Sequence, residues 1–176
     1  MLAQQDLLRH AGLEEPRAPS VSVPPALRLW RILVPVDFSP YSQGALAAGA
    51  ALARRLGAGL VAVHVIPDEE IRAIARSRLS RRGLDEILEE LGQAVEEHAR
   101  NAAGVGRGDG FEVRALAVSG LPAEGILRAA WRLEADLIVM ATHGRTGLAH
   151  AVMGSVAEAV VRRAPCPVLT IRPTAP

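Results

Sequence analysis

The chain has 176 residues, an apolar fraction of 49% and a formal net charge of +1, so it is long enough for one domain with its own core. A net charge this small gives no overall attraction to nucleic acid or to an anionic membrane. All 20 basic residues are arginine. Without lysine, the chain lacks the side chain that a Walker-type phosphate loop or a Schiff-base enzyme requires.

Cysteine and histidine usage excludes other classes of site. A single cysteine, Cys166, rules out an intramolecular disulfide and a cysteine-based zinc site, and we interpret it as a small buried residue at the start of a strand. The five histidines show no pair at metal-ligand spacing. The longest apolar stretch, 44–53, is too short to span a bilayer, and the amino terminus is too charged for a signal peptide. These features predict a soluble cytoplasmic protein.

Two segments are predicted to lie outside the regular fold or on its surface. Residues 1–28 contain four prolines in their second half and are predicted to be a partly ordered arm preceding a domain at 29–174. Residues 72–82 hold five arginines flanked by acidic residues. We interpret that segment as a solvated, salt-bridged surface, because RNA binding would call for aromatic side chains beside the arginines.

Apolar runs and helix-period segments alternate along the rest of the chain. Strands are predicted at 31–37, 60–66, 111–118, 136–141 and 168–171, and helices at 40–56, 84–103, 121–133 and 155–164, with 68–82 as either a short helix or a mobile loop. The first helix has Ser39 as its cap, Pro40 at its first position and Gly57 at its end. This alternation predicts an α/β fold with a parallel sheet covered by helices on both faces.

Parallel sheets of this kind bind ligands beyond the carboxyl ends of their strands, where the strand order reverses. That rule places Asp37, 65–66 and 141–144 along one rim. Asp37 is either a turn residue ahead of the Ser39 cap or a ligand for a ribose hydroxyl or a phosphate-bound metal ion. The turn at 35–40 contains no Gly-x-Gly, which argues against a dinucleotide-binding fingerprint.

The loop from Ala141 to Ser155 is rich in small residues and leads into a helix. Small residues allow backbone N–H groups to approach a ligand, and a helix amino terminus attracts phosphate. Ser155 and Glu158 fit a capping box, so the Ser155 hydroxyl serves either its own helix or a bound phosphate. Arg145 either pairs with phosphate or points into water.

The histidines near this rim leave the chemistry open. His143 either donates to a phosphate or bonds to main chain, whereas His64, in mid-strand, is interpreted as a hydrogen-bonded core histidine. The chain has no Gly-x-Ser-x-Gly elbow, and no paired carboxylates stand out at the rim. The residues therefore indicate a binding site but identify no catalytic group.

Several motifs together resemble the universal stress protein family over about 31–172. They are the segments 32–39, 63–65, 140–144, 154–155 and 164–168. The ATP-binding branch of that family carries Gly-x2-Gly-x9-Gly-Ser/Thr. Gly144, Gly154 and Ser155 match its later positions, and Ala141 stands at the first glycine.

The resemblance implies a five-stranded, doubly wound parallel sheet of order 3-2-1-4-5 that binds ATP with Mg²⁺ and forms a homodimer through the last strand. The residues it places around the nucleotide are Pro35, Val36, Asp37, Val65, Met140, Ala141, Gly144, Arg145, Gly154, Ser155 and Val156. Asp37 would meet the ribose or the metal, and Val65 the adenine. The phosphates would be held by Gly144, Arg145, Gly154, Ser155 and Val156. An ATP-binding regulatory protein is the first hypothesis. The alternatives are a slow ATPase or phosphotransferase, and a dimeric interaction module that binds no nucleotide.

Overall fold

A computed structural model describes residues 29–78, 83–105, 110–143 and 153–172. Five strands alternate with helices along the chain. The strands are β1 (Arg31–Pro35), β2 (Gly59–Ile66), β3 (Val113–Ser119), β4 (Leu137–Ala141) and β5 (Val168–Ile171). The helices are α1 (Pro40–Leu56), α2 (Asp68–Arg78), α3 (Leu84–Ala102), α4 (Pro122–Arg132) and α5 (Ser155–Arg163).

The five strands form one parallel sheet in the order β3-β2-β1-β4-β5, which confirms the predicted topology. Within it, β1 lies at the centre, where Ile32 is level with Leu60 of β2 and Leu137 of β4. A strand paired on both sides and covered on both faces has no position that needs a polar side chain. This explains the apolar run at the start of the domain.

Alternate residues of the strands build two core layers, one on each face of the sheet. On one face, Ile32 and Val34 pack with α1 and α3, and on the other, Leu33 and Val63 pack with α4 and α5. The helix residues in these layers are Ala45, Leu46, Ala50, Ala53, Val95 and Ala99 on the first face and Ile126, Ala129, Ala130, Ala157 and Val160 on the second. The prediction of helices on both faces is confirmed.

The predicted helices and strands are present, and their ends differ from the predicted ones by at most two residues. The Ser39 hydroxyl accepts a hydrogen bond from the Ser42 N–H at 3.2 Å, and Gly57 ends α1 with a φ of 66°. Both features were predicted from residue type. Within 68–82, the helix alternative is confirmed over Asp68–Arg78, and the end of that segment lies outside the described residues.

Within the described part of the chain, every helix is too short or too polar to cross a lipid bilayer. The predicted arm at 1–28 lies outside the described residues.

Cys166 lies just before β5 and is partly buried, so its interpretation as a buried residue is too strong. Burial raises the pKa of the Cys166 thiol, and the Asp136 carboxylate raises that pKa further.

Only the thiolate form of a cysteine reacts readily with electrophiles. We therefore expect iodoacetamide to alkylate Cys166 several-fold more slowly in the folded protein than in guanidinium chloride at the same alkaline pH. Mass spectrometry of timed samples measures both rates, and equal rates would contradict the shifted pKa.

Candidate functional site

A cavity of about 360 Å³ opens at the carboxyl ends of β1 and β4. After β1, the chain enters α1 on one face of the sheet, and the segment that follows β4 leads to α5 on the other face. The loops that leave two adjacent strands toward opposite faces have a crevice between them. The cavity therefore lies at the switch point that the sequence pattern predicted.

Nine of the eleven predicted site residues line this cavity. They are Pro35, Val36, Asp37, Val65, Met140, Ala141, Gly154, Ser155 and Val156. The other two, Gly144 and Arg145, lie outside the described residues. Residues from three strands and one helix thus meet around a single cavity.

Other residues of the lining were not predicted as site residues. Pro67 lies between β2 and α2, Glu70 lies in the first turn of α2, and Pro122 and Ile126 belong to α4. Ser42, Val63, His64, Thr142 and Ala157 complete this group, and His143, for which a phosphate contact was one of two alternatives, also lines the cavity. The rule that ligands bind at the carboxyl ends of strands could have found Pro67 and Pro122, since each lies within three residues after a strand.

Asp37 is held by the turn between β1 and α1. Its Oδ1 atom accepts hydrogen bonds from the Ser39 N–H at 3.0 Å and from the Ser39 hydroxyl at 2.6 Å. The Asp37 N–H in turn donates to the Ser42 hydroxyl at 3.4 Å. The interpretation of Asp37 as a turn residue ahead of the Ser39 cap is therefore confirmed. The same bonds orient its carboxylate at the rim of the cavity.

Phe38 follows Asp37 with a φ of 62°, which is unfavourable for a bulky side chain. Its ring contacts those of His64 and His98, with centroids 4.9 Å and 5.1 Å away. Nδ1 of His64 lies 2.7 Å from the Val36 carbonyl oxygen. Because a carbonyl oxygen only accepts hydrogen bonds, Nδ1 is the donor. His64 is thus hydrogen-bonded as expected, but it is partly exposed and lines the cavity, so it is not a core residue.

The opposite wall of the cavity is formed where β4 and α5 approach each other. The Gly154 N–H donates to the Thr142 carbonyl oxygen at 2.8 Å, and a Cβ on Gly154 would lie 3.1 Å from that oxygen. The close approach therefore favours glycine at this position. Thr142 is buried, and its hydroxyl lies 2.9 Å from Nδ1 of His143. Among the described residues, His143 thus bonds to the side chain of Thr142, whereas one of the two predicted alternatives was a main-chain bond.

The predicted capping box at Ser155 is wrong. Ser155 is already the first helical residue of α5, so the cap is Gly154, which has no side chain to accept a hydrogen bond. The first bond of the helix runs from the Glu158 N–H to the Gly154 carbonyl oxygen. The N–H groups at 155–157 consequently have no acceptor within the helix, and these three residues line the cavity.

The described lining of the cavity contains two carboxylates, those of Asp37 and Glu70, and the residues of that lining include no lysine or arginine. The described residues also contain no group of three or more histidine, cysteine or acidic side chains able to hold a metal ion by themselves. An anionic ligand would therefore need helix dipole charge, a metal ion that it brings with it, or a cation such as Arg145.

The model of the Universal stress protein family matches residues 30–172. The chain belongs to this family. It is 38% identical over 144 residues to a universal stress protein of Thermus aquaticus, covering 80% of this chain and 97% of the relative. It is 32% identical over 152 residues to the universal stress protein MJ0577 of Methanocaldococcus jannaschii, covering 81% and 94% of the two chains.

Solved structures of this family share the fold. The structure of MJ0577 superimposes with a TM-score of 0.66 at 27% identity, covering 85% of this chain and 100% of that one. A universal stress protein from Archaeoglobus fulgidus, solved in complex with dAMP, gives a TM-score of 0.54 at 23% identity. The superposition covers 83% of this chain and 100% of the Archaeoglobus fulgidus chain. At 23% identity, this similarity shows that the two proteins share a fold.

Val65, in the cavity wall, packs closely against α4 because Gly125 has no side chain, and substitutions can test this contact. A Cβ on Gly125 would lie 2.6 Å from a methyl carbon of Val65, whereas the nearest atom to a Cβ on Gly92 of α3 would be 3.7 Å away, an ordinary contact.

In urea unfolding, we expect Gly92→Ala to raise the free energy of unfolding by about 0.5–1 kcal/mol through better helix propensity. We expect Gly125→Ala to lower the free energy of unfolding by about 1–3 kcal/mol, because Val65 must move. Equal stability of the two variants would contradict the packing.

Proposed function

We propose that the chain is an ATP-binding regulatory protein that holds the nucleotide in the cavity between β1 and β4. The observation that carries this proposal is the cavity itself, at about 360 Å³ and lined by nine of the predicted nucleotide contacts. Ligand pockets for small molecules start at about this volume. Because the fold also holds dAMP in the Archaeoglobus fulgidus protein, an adenine nucleotide is the first ligand to test.

The two sides of the cavity suit the two ends of a nucleotide. The apolar side chains of Val36, Val65 and Met140 offer a surface for the adenine ring. The N–H groups at 155–157, which have no acceptor within the helix, and the dipole of α5 offer donors and positive charge for phosphate oxygens. In this proposal Gly144 and Arg145 add further phosphate contacts, and the methyl group of Ala141 is small enough to replace the first motif glycine.

The residues present also suit a magnesium ion that arrives with the nucleotide. Magnesium takes oxygen ligands and is commonly held by one or two carboxylates together with phosphate oxygens. Asp37 offers such a carboxylate at the rim. The ion would neutralise phosphate charge beside the acidic lining, and Asp37 would orient it.

A change of charge at Ser155 tests the phosphate position without weakening the fold. An aspartate in the first turn of α5 favours the helix dipole, so Ser155→Asp should unfold at the same temperature as the wild type or higher. Its carboxylate would repel phosphate, and we expect titration calorimetry with Mg-ATP to show an affinity at least about tenfold weaker. Ser155→Asn, the neutral match, should lose much less.

Two results of the same experiment would count against the proposal. Wild-type protein that gives no heat with Mg-ATP would contradict nucleotide binding and favour the interaction module. Equal affinities of the Asp and Asn variants would mean that the phosphates lie elsewhere. Phosphate release measured on the same samples tests the ATPase alternative, which predicts turnover that Asp37→Ala abolishes.

A homodimer through the last strand is the second part of the proposal. β5 is at one edge of the sheet, and Leu169 on it is 42% exposed. An exposed apolar edge strand tends to pair with a strand of another chain.

We expect light scattering to find that the wild type is a dimer and that Leu169→Arg is a monomer. Trp131→Arg, at a more exposed site on α4, should leave the dimer intact, and a dimer in both variants would contradict pairing through β5.

A further inference from the structure

Glu70 lines the cavity beside an apolar region. That region is formed by Val65 and Pro67, at the end of β2, and by Pro122 and Ile126 of α4. The residues at the end of β2 and those of α4 are in contact, because α4 packs closely against Val65 at Gly125. Glu70 thus brings a carboxylate to the part of the cavity that is proposed to hold the base.

The position of Glu70 is fixed by the first turn of α2. The N–H groups of Glu70 and Ile71 donate to the Pro67 carbonyl oxygen at 2.9 Å and 3.1 Å. Ile71 is 8% exposed and packs against Ile66 and Ala117. The backbone of Glu70 is therefore anchored on both sides, at the end of β2 and in the core.

Most other polar groups in the described lining belong to other regions of the cavity. Asp37 and Ser42 belong to the turn between β1 and α1, and His64 directs its Nδ1–H to the Val36 carbonyl oxygen of that turn. The remaining polar side chains, those of Thr142, His143 and Ser155, belong to the wall formed by β4 and α5. In the described lining, Glu70 is the polar side chain that α2 and α4 contribute beside Val65.

We propose that Glu70 selects the base by accepting a hydrogen bond from the 6-amino group of adenine. This inference rests on the proposed nucleotide binding. A carboxylate has acceptors only, so one placed beside the purine 6-position pairs with the amino group of adenine and repels the carbonyl oxygen that guanine and hypoxanthine carry there. A site built around one hydrogen-bonding group discriminates strongly against analogues that cannot make the bond. The ligand class is therefore 6-aminopurine nucleotides.

Titration calorimetry with Mg-ATP and Mg-ITP tests this selection, because the two nucleotides differ only in that adenine has a 6-amino group and an unprotonated N1 where hypoxanthine has a 6-oxygen and an N1–H. We expect the wild type to bind ATP about tenfold more tightly than ITP. Glu70→Ala should bring that ratio close to one. Glu69→Ala is the matched control, because it removes the same charge from the same turn without touching the cavity. It should keep the wild-type ratio.

Glu70→Gln separates hydrogen bonding from charge. Its amide oxygen still accepts from the adenine amino group, while its amide N–H₂ can donate to the 6-oxygen of ITP. We expect ATP affinity near that of the wild type, tighter ITP binding and a ratio reduced several-fold. A Glu70→Ala variant that binds ATP with an unchanged ratio would overturn the role of Glu70 and leave nucleotide binding intact. Wild-type protein that binds neither nucleotide would overturn both proposals.

Discussion

Right-handed crossovers carry the chain from β1 into α1 on one face of the sheet and from β4 toward α5 on the other. Because β1 and β4 are neighbours, the segments that follow them separate and leave the cavity at their carboxyl ends. Every feature of the candidate site depends on this divergence. It brings Asp37 on one loop opposite Gly154 on another, although the two residues are far apart in sequence.

Close approaches of the backbone hold the two sides of the cavity in place. Gly125 allows α4 to rest on Val65, and Gly154 lets the start of α5 bond to the Thr142 carbonyl oxygen. On the opposite side, Ser39 caps α1 and binds the Asp37 carboxylate with the same hydroxyl. The turn that begins the helix thus also orients the acidic group at the rim.

The sheet could be predicted from the sequence because each buried strand is a short apolar run between helix-period segments. The order of strands followed from the family resemblance, since periodicity alone does not say which strands are neighbours. The Ser155 cap was mispredicted because a serine followed three residues later by glutamate fits a capping box whether or not the serine is already helical. His64 was misjudged because a position in mid-strand does not show whether the side chain faces the core or the cavity, although the neighbouring 65–66 was predicted to lie on the rim.

The part of the cavity formed by α2 and α4 could not be predicted from local pattern. Glu70 reads as one acid among several in a charged helix, and Ile126 as an ordinary apolar helix residue. Their place beside Val65 comes from tertiary packing, in which Ile71 anchors α2 and Gly125 brings α4 close. Short motifs describe the residues that are proposed to meet the phosphates, whereas the packing of α2 and α4 decides which side chains surround the proposed base region.

Methyl NMR on protein titrated with Mg-ATP tests the central claim, that the switch-point cavity holds the nucleotide. The methyl groups of Val36, Val65, Met140 and Val156 line the cavity, whereas Val113 lies at the amino end of β3. The account predicts saturable shifts at the four cavity residues and none at Val113. Shifts absent from the cavity methyls at saturating nucleotide, or confined to residues outside it, would contradict the account.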